Sequence, residues 1–271
     1  MDNQIISKPL SRLGQLGRSI MKRFMYSQMS IVNGIKIAFG KEHPLIRFTV
    51  EADPPSIYWV FRIKPTAVEG LAQKLGIPSQ FSLSPIKCLD TDEPAYLLTV
   101  NAYRVSGLAN GIRAEWSVFV RDKNENIPRY MIVDARSSTL SVDPISIITP
   151  KTKVIHEKNG KEIHTEIGEG DNAFRSTITL PHLTSPVTAS ADWVSANDYI
   201  YWLNGVCDRT FYDAGLANAG QHRINNENCV IEDGSFWSQI VEPDPVHILI
   251  LDNPIEFAIS PWENIDRVQA H

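Results

Sequence analysis

Long apolar runs are missing from this 271-residue chain, and nothing in it approaches the roughly 20 residues that a bilayer-spanning helix needs. Positive charge is also short, with 26 Lys and Arg against 31 Asp and Glu and a formal net charge of -5. That balance argues against a nucleic-acid partner, whose binding proteins usually present a basic face. Cysteine is scarce: Cys88, Cys207 and Cys229 stand far apart, with no C-x-x-C spacing. They read as ordinary reduced thiols, which suits a reducing, cytoplasmic location. The histidines show no H-x-x-x-H or Cys/His spacing and no acidic run resembles a calcium loop, so no metal site is expected. Glycines occur singly, without G-x-G-x-x-G or a Walker loop, so no nucleotide or other cofactor is expected. No serine sits in G-x-S-x-G, which leaves a hydrolase of that kind unsupported.

What is present is a normal core-forming composition, 43% hydrophobic, enough for one large domain. The first 40 residues read as a separate arm, followed by a single β domain over 41–271. Arg12, Arg18, Lys22 and Arg23 interrupt the apolar positions of the arm, so it is no signal peptide. Leu13, Leu16, Ile20 and Phe24 fall near helical spacing, widened by Met21 and Met25. Such a helix can dock on the body or on a neighbouring subunit. It can also touch anionic lipid peripherally through residues 11–25.

Beyond the arm the chain reads mostly as strands. Residues 45–50 and 57–63 are two β-rich runs, separated by a turn at Asp53-Pro54-Pro55. Thr66 to Leu75 reads as a short helix capped by Thr66 and ended by Gly76. Strands follow over 95–105, 112–121 and 129–135. Asn159-Gly160 suits a two-residue turn, and in that register His156 and His164 fall on opposite faces of the hairpin. A further strand ends at Pro181. Ser190 or Ser195 can cap a long helix whose stripe is Ala196, Tyr199, Leu203, Val206 and Thr210, closed by Gly215. The runs "PVHILILD" and "IEFAIS" return to strand. Many short strands with one helix among them imply a mainly β fold with minor α, an antiparallel cone or barrel with the helix against it.

The clearest alternation is at 112–121. Ile112, Ala114, Trp116, Val118 and Val120 share one face; Arg113, Glu115, Ser117, Phe119 and Arg121 share the other. The first is core, while the charged face meets either solvent or a polar pocket that orients a small ligand. Arg136 and Asp143 bracket a group of small hydroxyls, Ser137, Ser138 and Ser141, that are commonly satisfied locally.

The segments "GIRAEWSVFV" (111–120), "PRYMIVD" (128–134) and "TLSVDPIS" (139–146) together resemble the acetoacetate decarboxylase-like superfamily. The resemblance spans roughly 95–180. It implies antiparallel sheets forming a cone or barrel around a buried pocket, and a homo-oligomer. In the decarboxylases a Leu-Ser pair is followed after two residues by Pro-Lys-Lys, whose first lysine forms a Schiff base with a keto acid. That amine is made nucleophilic by burial and a neighbouring cation, which lower its pKa. Here the corresponding positions are Ile145 and Ser146, and an isoleucine forms no imine.

The resemblance therefore implies a small-molecule enzyme with lysine-free acid/base chemistry: a lyase, hydratase, isomerase or cyclase acting on a small oxo or partly apolar substrate. Glu115 would match the family's pocket glutamate and act as general acid/base. Arg113 or Arg136 would hold a carboxylate or oxyanion. Asp143 and Ser146 would fill the space the two lysines vacate, with Ser138, Ile145 and Trp116 lining the pocket. Two other readings are a non-catalytic small-ligand binder of the same fold, and a true β-keto acid decarboxylase using Lys151 of "TPKTK". Lys151 lies farther past Leu140-Ser141 than the pattern has it.

Overall fold

A computed structural model of the chain describes residues 20, 24, 28, 48–106, 111–123, 127–139, 141–142, 148–149, 151–181, 185–196, 199–203, 207–213, 221–251 and 253–262. Within the expected arm, Ile20, Phe24 and Gln28 are helical, with Ile20 and Phe24 exposed. The rest of the arm lies outside the described residues, as do Asp143, Pro144, Ile145 and Ser146. No helix among the described residues is long and apolar enough to cross a membrane.

The chain runs through β1 (Phe48–Ile63), the single-turn helices α1 (Pro65–Val68) and α2 (Leu71–Lys74), and β2 (Phe81–Leu83). An antiparallel meander follows: β3 (Leu97–Ser106), β4 (Gly111–Asp122) and β5 (Pro128–Ser137). The short pair β6 (Ser141–Val142) and β7 (Ile148–Thr149) precedes β8 (Val154–Asn159), β9 (Glu162–Ile167), β10 (Phe174–Thr179) and β11 (Ser185–Pro186). Then come α3 (Ala191–Ala196), β12 (Tyr199–Leu203), β13 (Cys207–Asp213), β14 (Gln221–Ile224), β15 (Cys229–Asp233), β16 (Val241–Leu251) and β17 (Ile255–Trp262).

An 11-stranded sheet carries the fold, with a 4-stranded sheet, β15-β10-β9-β8, beside it. From β1 the pairings pass through β17, β13, β12, β5, β4 and β3 and return to β1. The pairing makes no regular barrel, because β1 changes its outer neighbour along its length. Up to Ala52 that neighbour is β17; from Ser56 it is β16.

The change falls at Pro54-Pro55, where the register against β3 also shifts. Proline has no N–H to give a ladder, so a strand carrying two of them is interrupted there. The expected turn between two strands is thus a break within one.

Two helix expectations are corrected. Residues 65–74 form two separate turns, since Gly70 takes a left-handed φ of 78° between them and Pro65, next to the N-cap Lys64, starts the first. The long late helix stops at Ala196 and the chain continues as β12 and β13. Tyr199, Ile200, Tyr201 and Trp202 are aromatic and β-branched residues that fit a pleated surface. Of the two cap candidates, Ser190 fills the role: its Oγ accepts from the Trp193 N–H at 3.0 Å, whereas Ser195 Oγ donates to the Asp192 carbonyl.

Hairpin β8–β9 turns at Gly160-Lys161, one residue later than Asn159-Gly160. Gly160, at φ 61°, occupies the first turn position, the residue a II′ connection wants. This moves every cross-strand partner by two, which preserves faces: His156 is buried and His164 exposed.

His156 accepts from Thr165 Oγ1 at its Nδ1 (2.8 Å) and donates from Nε2 to the Pro55 carbonyl (2.8 Å). It pins the small sheet to the break in β1. Burial lowers its pKa, and the charge of Arg104 acts in the same direction. As pH falls, the unfolded chain therefore takes up this proton first. Stability is complete above about pH 6.5 and should decline as pH drops towards the depressed folded value. Urea unfolding between about pH 8 and pH 5 checks this, and His156→Gln should flatten the slope in that window.

The small sheet has a second constraint at Gly234, whose N–H donates to the Ala173 carbonyl at 3.1 Å. A Cβ there would stand 1.7 Å from the Asp171 carbonyl oxygen. Gly234→Ala should cost about 1–3 kcal/mol by forcing backbone apart. An unchanged denaturation midpoint would disprove the contact.

Candidate functional site

β4 separates two apolar clusters. Ala114, Trp116, Val118 and Val120 enter one of them, while Phe119 enters the other with Tyr58, Tyr103, Tyr130 and Trp193. The charged face of β4 is therefore buried and not solvated. Arg113 and Glu115 are 6% and 5% exposed, and Ser117 is fully buried.

Strand pairing sets the polar groups side by side. Tyr58 on β1 lies opposite Asn101 on β3, which lies opposite Glu115 on β4. One step along, Tyr103 on β3 faces Arg113 on β4. Because residues two apart in a strand share a face, Arg113 reaches Glu115 along its own strand. The Arg113 Nε–H and the Tyr103 hydroxyl (3.1 Å) both donate to Glu115 Oε1. The Tyr130 hydroxyl meets Thr99 Oγ1 at 3.2 Å.

Burial pushes the Tyr58 phenol pKa well up, and the negative charge of Glu115 adds to it. Tyr130 is raised likewise, by burial first and then by neighbouring Tyr58 and Glu115. Both hydroxyls stay protonated at neutral pH and so carry a proton to donate. Asn101 Oδ1 is buried here without a hydrogen-bond partner. A buried acceptor in that condition costs about 1–3 kcal/mol, which a ligand's donor would recover. Aromatic rings pack around these groups: Trp193 meets Tyr58 edge-on at 5.8 Å, and Phe119 packs on Tyr130 and on Trp193 at 5.5 Å each.

The expected site residues are divided between two faces. Trp116 points away from Glu115, stacking on Trp237 at 6.4 Å, and Arg136 lies over the Trp116 ring at 5.9 Å. Arg136 also pairs with Asp134, whose carboxyl pKa burial raises and the guanidinium pulls back. Ser138 extends the strand edge: its Oγ accepts from the Ile112 N–H and its N–H donates to the Ile112 carbonyl, each at 2.8 Å. Lys151 is exposed, its backbone bridging to Ser137.

Tyr58, Asn101, Tyr103 and Tyr130 were not singled out in the sequence. The signal available was Thr99, Asn101 and Tyr103 alternating along β3, the neighbour of the recognised strand.

No protein-family model matches the chain, and no curated protein matches it in sequence. Among solved structures, the acetoacetate decarboxylase of Legionella pneumophila aligns at TM-score 0.53 and 12% identity, covering 84% of this chain and 94% of that one. The enduracididine biosynthesis enzyme MppR aligns at TM-score 0.48 and 6% identity, covering 79% and 86%. An acetoacetate decarboxylase-like enzyme from Sphingomonas wittichii RW1 aligns at TM-score 0.45 and 10% identity, covering 79% and 91%. Alignment over 94% of the Legionella structure at TM-score 0.53 leads to one conclusion: this chain has the acetoacetate decarboxylase-like fold.

Proposed function

We propose that the protein is a small-molecule enzyme in which Glu115 moves a proton at a small oxo substrate, without a Schiff base. The observation that carries this reading is the carboxylate set among donors on a buried face. Arg113 and Tyr103 fix its position through one oxygen. A base oriented by packed neighbours is what proton transfer requires. Tyr58 and Tyr130 would donate to the substrate oxygen as negative charge develops there, and Asn101 Oδ1 would accept from a substrate hydroxyl. Asp143, Ile145 and Ser146 would complete the lining. Arg136, on the other face, is left to a structural role beside Trp116.

The decarboxylase reading is weaker because Lys151 is exposed, whereas a Schiff-base lysine sits in a desolvated pocket. The binder reading has one supporting observation, that Glu115 already has its charge matched by Arg113.

Solvent-deuterium exchange into a panel of small α- and β-keto acids, followed by NMR, tests the proposal. Wild type should catalyse exchange at a carbon next to the carbonyl in at least one of them. Glu115→Gln should lower that rate by about 100-fold or more, while ligand-induced chemical-shift changes persist. Exchange that survives in Glu115→Gln would remove Glu115 from the chemistry. Binding with no exchange in wild type would favour the binder. A borohydride-stable adduct on Lys151 would establish the decarboxylase.

A further inference from the structure

A second cluster lies away from Glu115, on the connection between β2 and β3. Cys88 and Asp92 stand on that connection, and His247 comes from β16, where it pairs with Val60 of β1. One ligand atom from each of the three lies within 4.8 Å of the others. We propose that Cys88, Asp92 and His247 bind a single zinc ion, or a divalent ion of similar affinity for sulfur.

The ligands are held before any ion arrives. Ile86 and Ala95 exchange two backbone hydrogen bonds of 2.9 Å, closing the connection on itself. The Cys88 carbonyl accepts from the Ser190 N–H at 3.0 Å. Asp92 Oδ2 accepts from the Leu89 N–H at 2.8 Å and from His247 Nε2 at 2.7 Å. His247 is 6% exposed, and its Nε2, 2.7 Å from Asp92 Oδ2, is the nitrogen that faces the cluster. An ion bound there would replace the Nε2 hydrogen bond to Asp92, with the ring proton carried on Nδ1.

The three side chains line a cavity of about 130 Å³ that reaches the exposed Arg62 and Glu93. That is room for an ion and a water, with a route in.

The donor set selects the metal. Thiolate, imidazole and carboxylate suit zinc, whereas calcium and magnesium want oxygen ligands and would find one carboxylate. Three protein ligands leave a fourth position on the cavity side. Charge also balances. Cys88 gives up its proton to solvent on binding, so thiolate and carboxylate cancel the two charges of zinc and the nearby Arg62 meets a neutral centre. Sequence spacing hides the set because the histidine is supplied by a strand far along the chain.

The test uses the full-length protein, stripped with chelator and then titrated with Zn²⁺ and, separately, with Co²⁺. One equivalent of Zn²⁺ should be retained through desalting, and Co²⁺ should give a thiolate-to-cobalt charge-transfer band. Cys88→Ser should lose the band, while Cys229→Ser and Cys207→Ser keep it. Cys88→Ser and His247→Asn should each weaken zinc binding at least about 100-fold, the upper range for losing a partner that merely supports a ligand. If Cys88→Ser does not fold, His247→Asn, which keeps the thiol, carries the test. No retained zinc in wild type overturns the proposal, as does affinity unchanged in His247→Asn. In either case the Asp92–His247 hydrogen bond serves only to fasten the connection to β16.

Discussion

Arg113→Ala is expected to destabilise the protein by about 3–5 kcal/mol, because it strands the Glu115 carboxylate in the interior. The two charges lie on the buried face of β4 and pair with each other. The Tyr103 hydroxyl, 3.1 Å from Glu115 Oε1, can compensate for only part of the lost cation. Arg113→Met combined with Glu115→Leu should recover most of the loss, since a buried ion pair is often replaceable by packed apolar groups at little net cost. Urea unfolding of both single variants and the double variant closes the cycle. A single variant within about 0.5 kcal/mol of wild type would mean that the pair is solvated after all.

Trp59→Ala should cost about 3–5 kcal/mol as a core truncation, and its effect should concentrate on the junction of the two sheets. Trp59 is fully buried on β1, meets Phe174 of β10 edge-on at 5.3 Å, and donates its indole N–H to Ser176 Oγ at 3.1 Å. Trp59→Phe keeps the ring contact and removes the indole hydrogen bond, leaving Ser176 Oγ its contact with Cys229 Sγ at 3.3 Å, so a smaller loss of about 0.5–1.5 kcal/mol is expected. Hydrogen exchange should locate the loosening in β8, β9 and β10 before the main sheet. Uniform loss of protection across both sheets would show that they unfold as one unit instead.

The strands were legible where period-two alternation was strong, as over 112–121, because one side of that strand is wholly apolar. The burial of its other side was not, since Arg113 and Glu115 are residue types that normally meet water. Their concealment depends on Tyr58, Asn101 and Tyr103 arriving from β1 and β3, and no local pattern encodes that meeting. The late helix failed for a related reason. Ala196, Tyr199 and Leu203 keep helical spacing, yet the intervening Ile200, Tyr201 and Trp202 are strand formers that pair with β5 and β13. The hairpin register slipped because Asn-Gly and Gly-Lys are adjacent, and both offer a glycine to the turn. The segment 139–146 carried the resemblance and its break at Ile145. The placement of Glu115 on a concealed face came from the fold.

The position of β1 bears on how the chain must be made. This first strand of the sheet has β3 on one side, close by in sequence. On its other side it needs β16 and β17, so that Phe48 pairs with Ile259 and Ser56 with Leu251. During synthesis the early meander β1–β3–β4–β5 can form, but one flank of β1 stays bare until the last strands leave the ribosome. Contacts of such long sequence separation slow folding, and an uncovered strand edge invites pairing with other chains. Nascent chains cut short before residue 241 should therefore aggregate or recruit chaperones, whereas a chain that includes β16 and β17 supplies its own cover. The two prolines within β1 lie in the interval between those two partners, where a strand edge waiting for its neighbour is hardest to extend from outside.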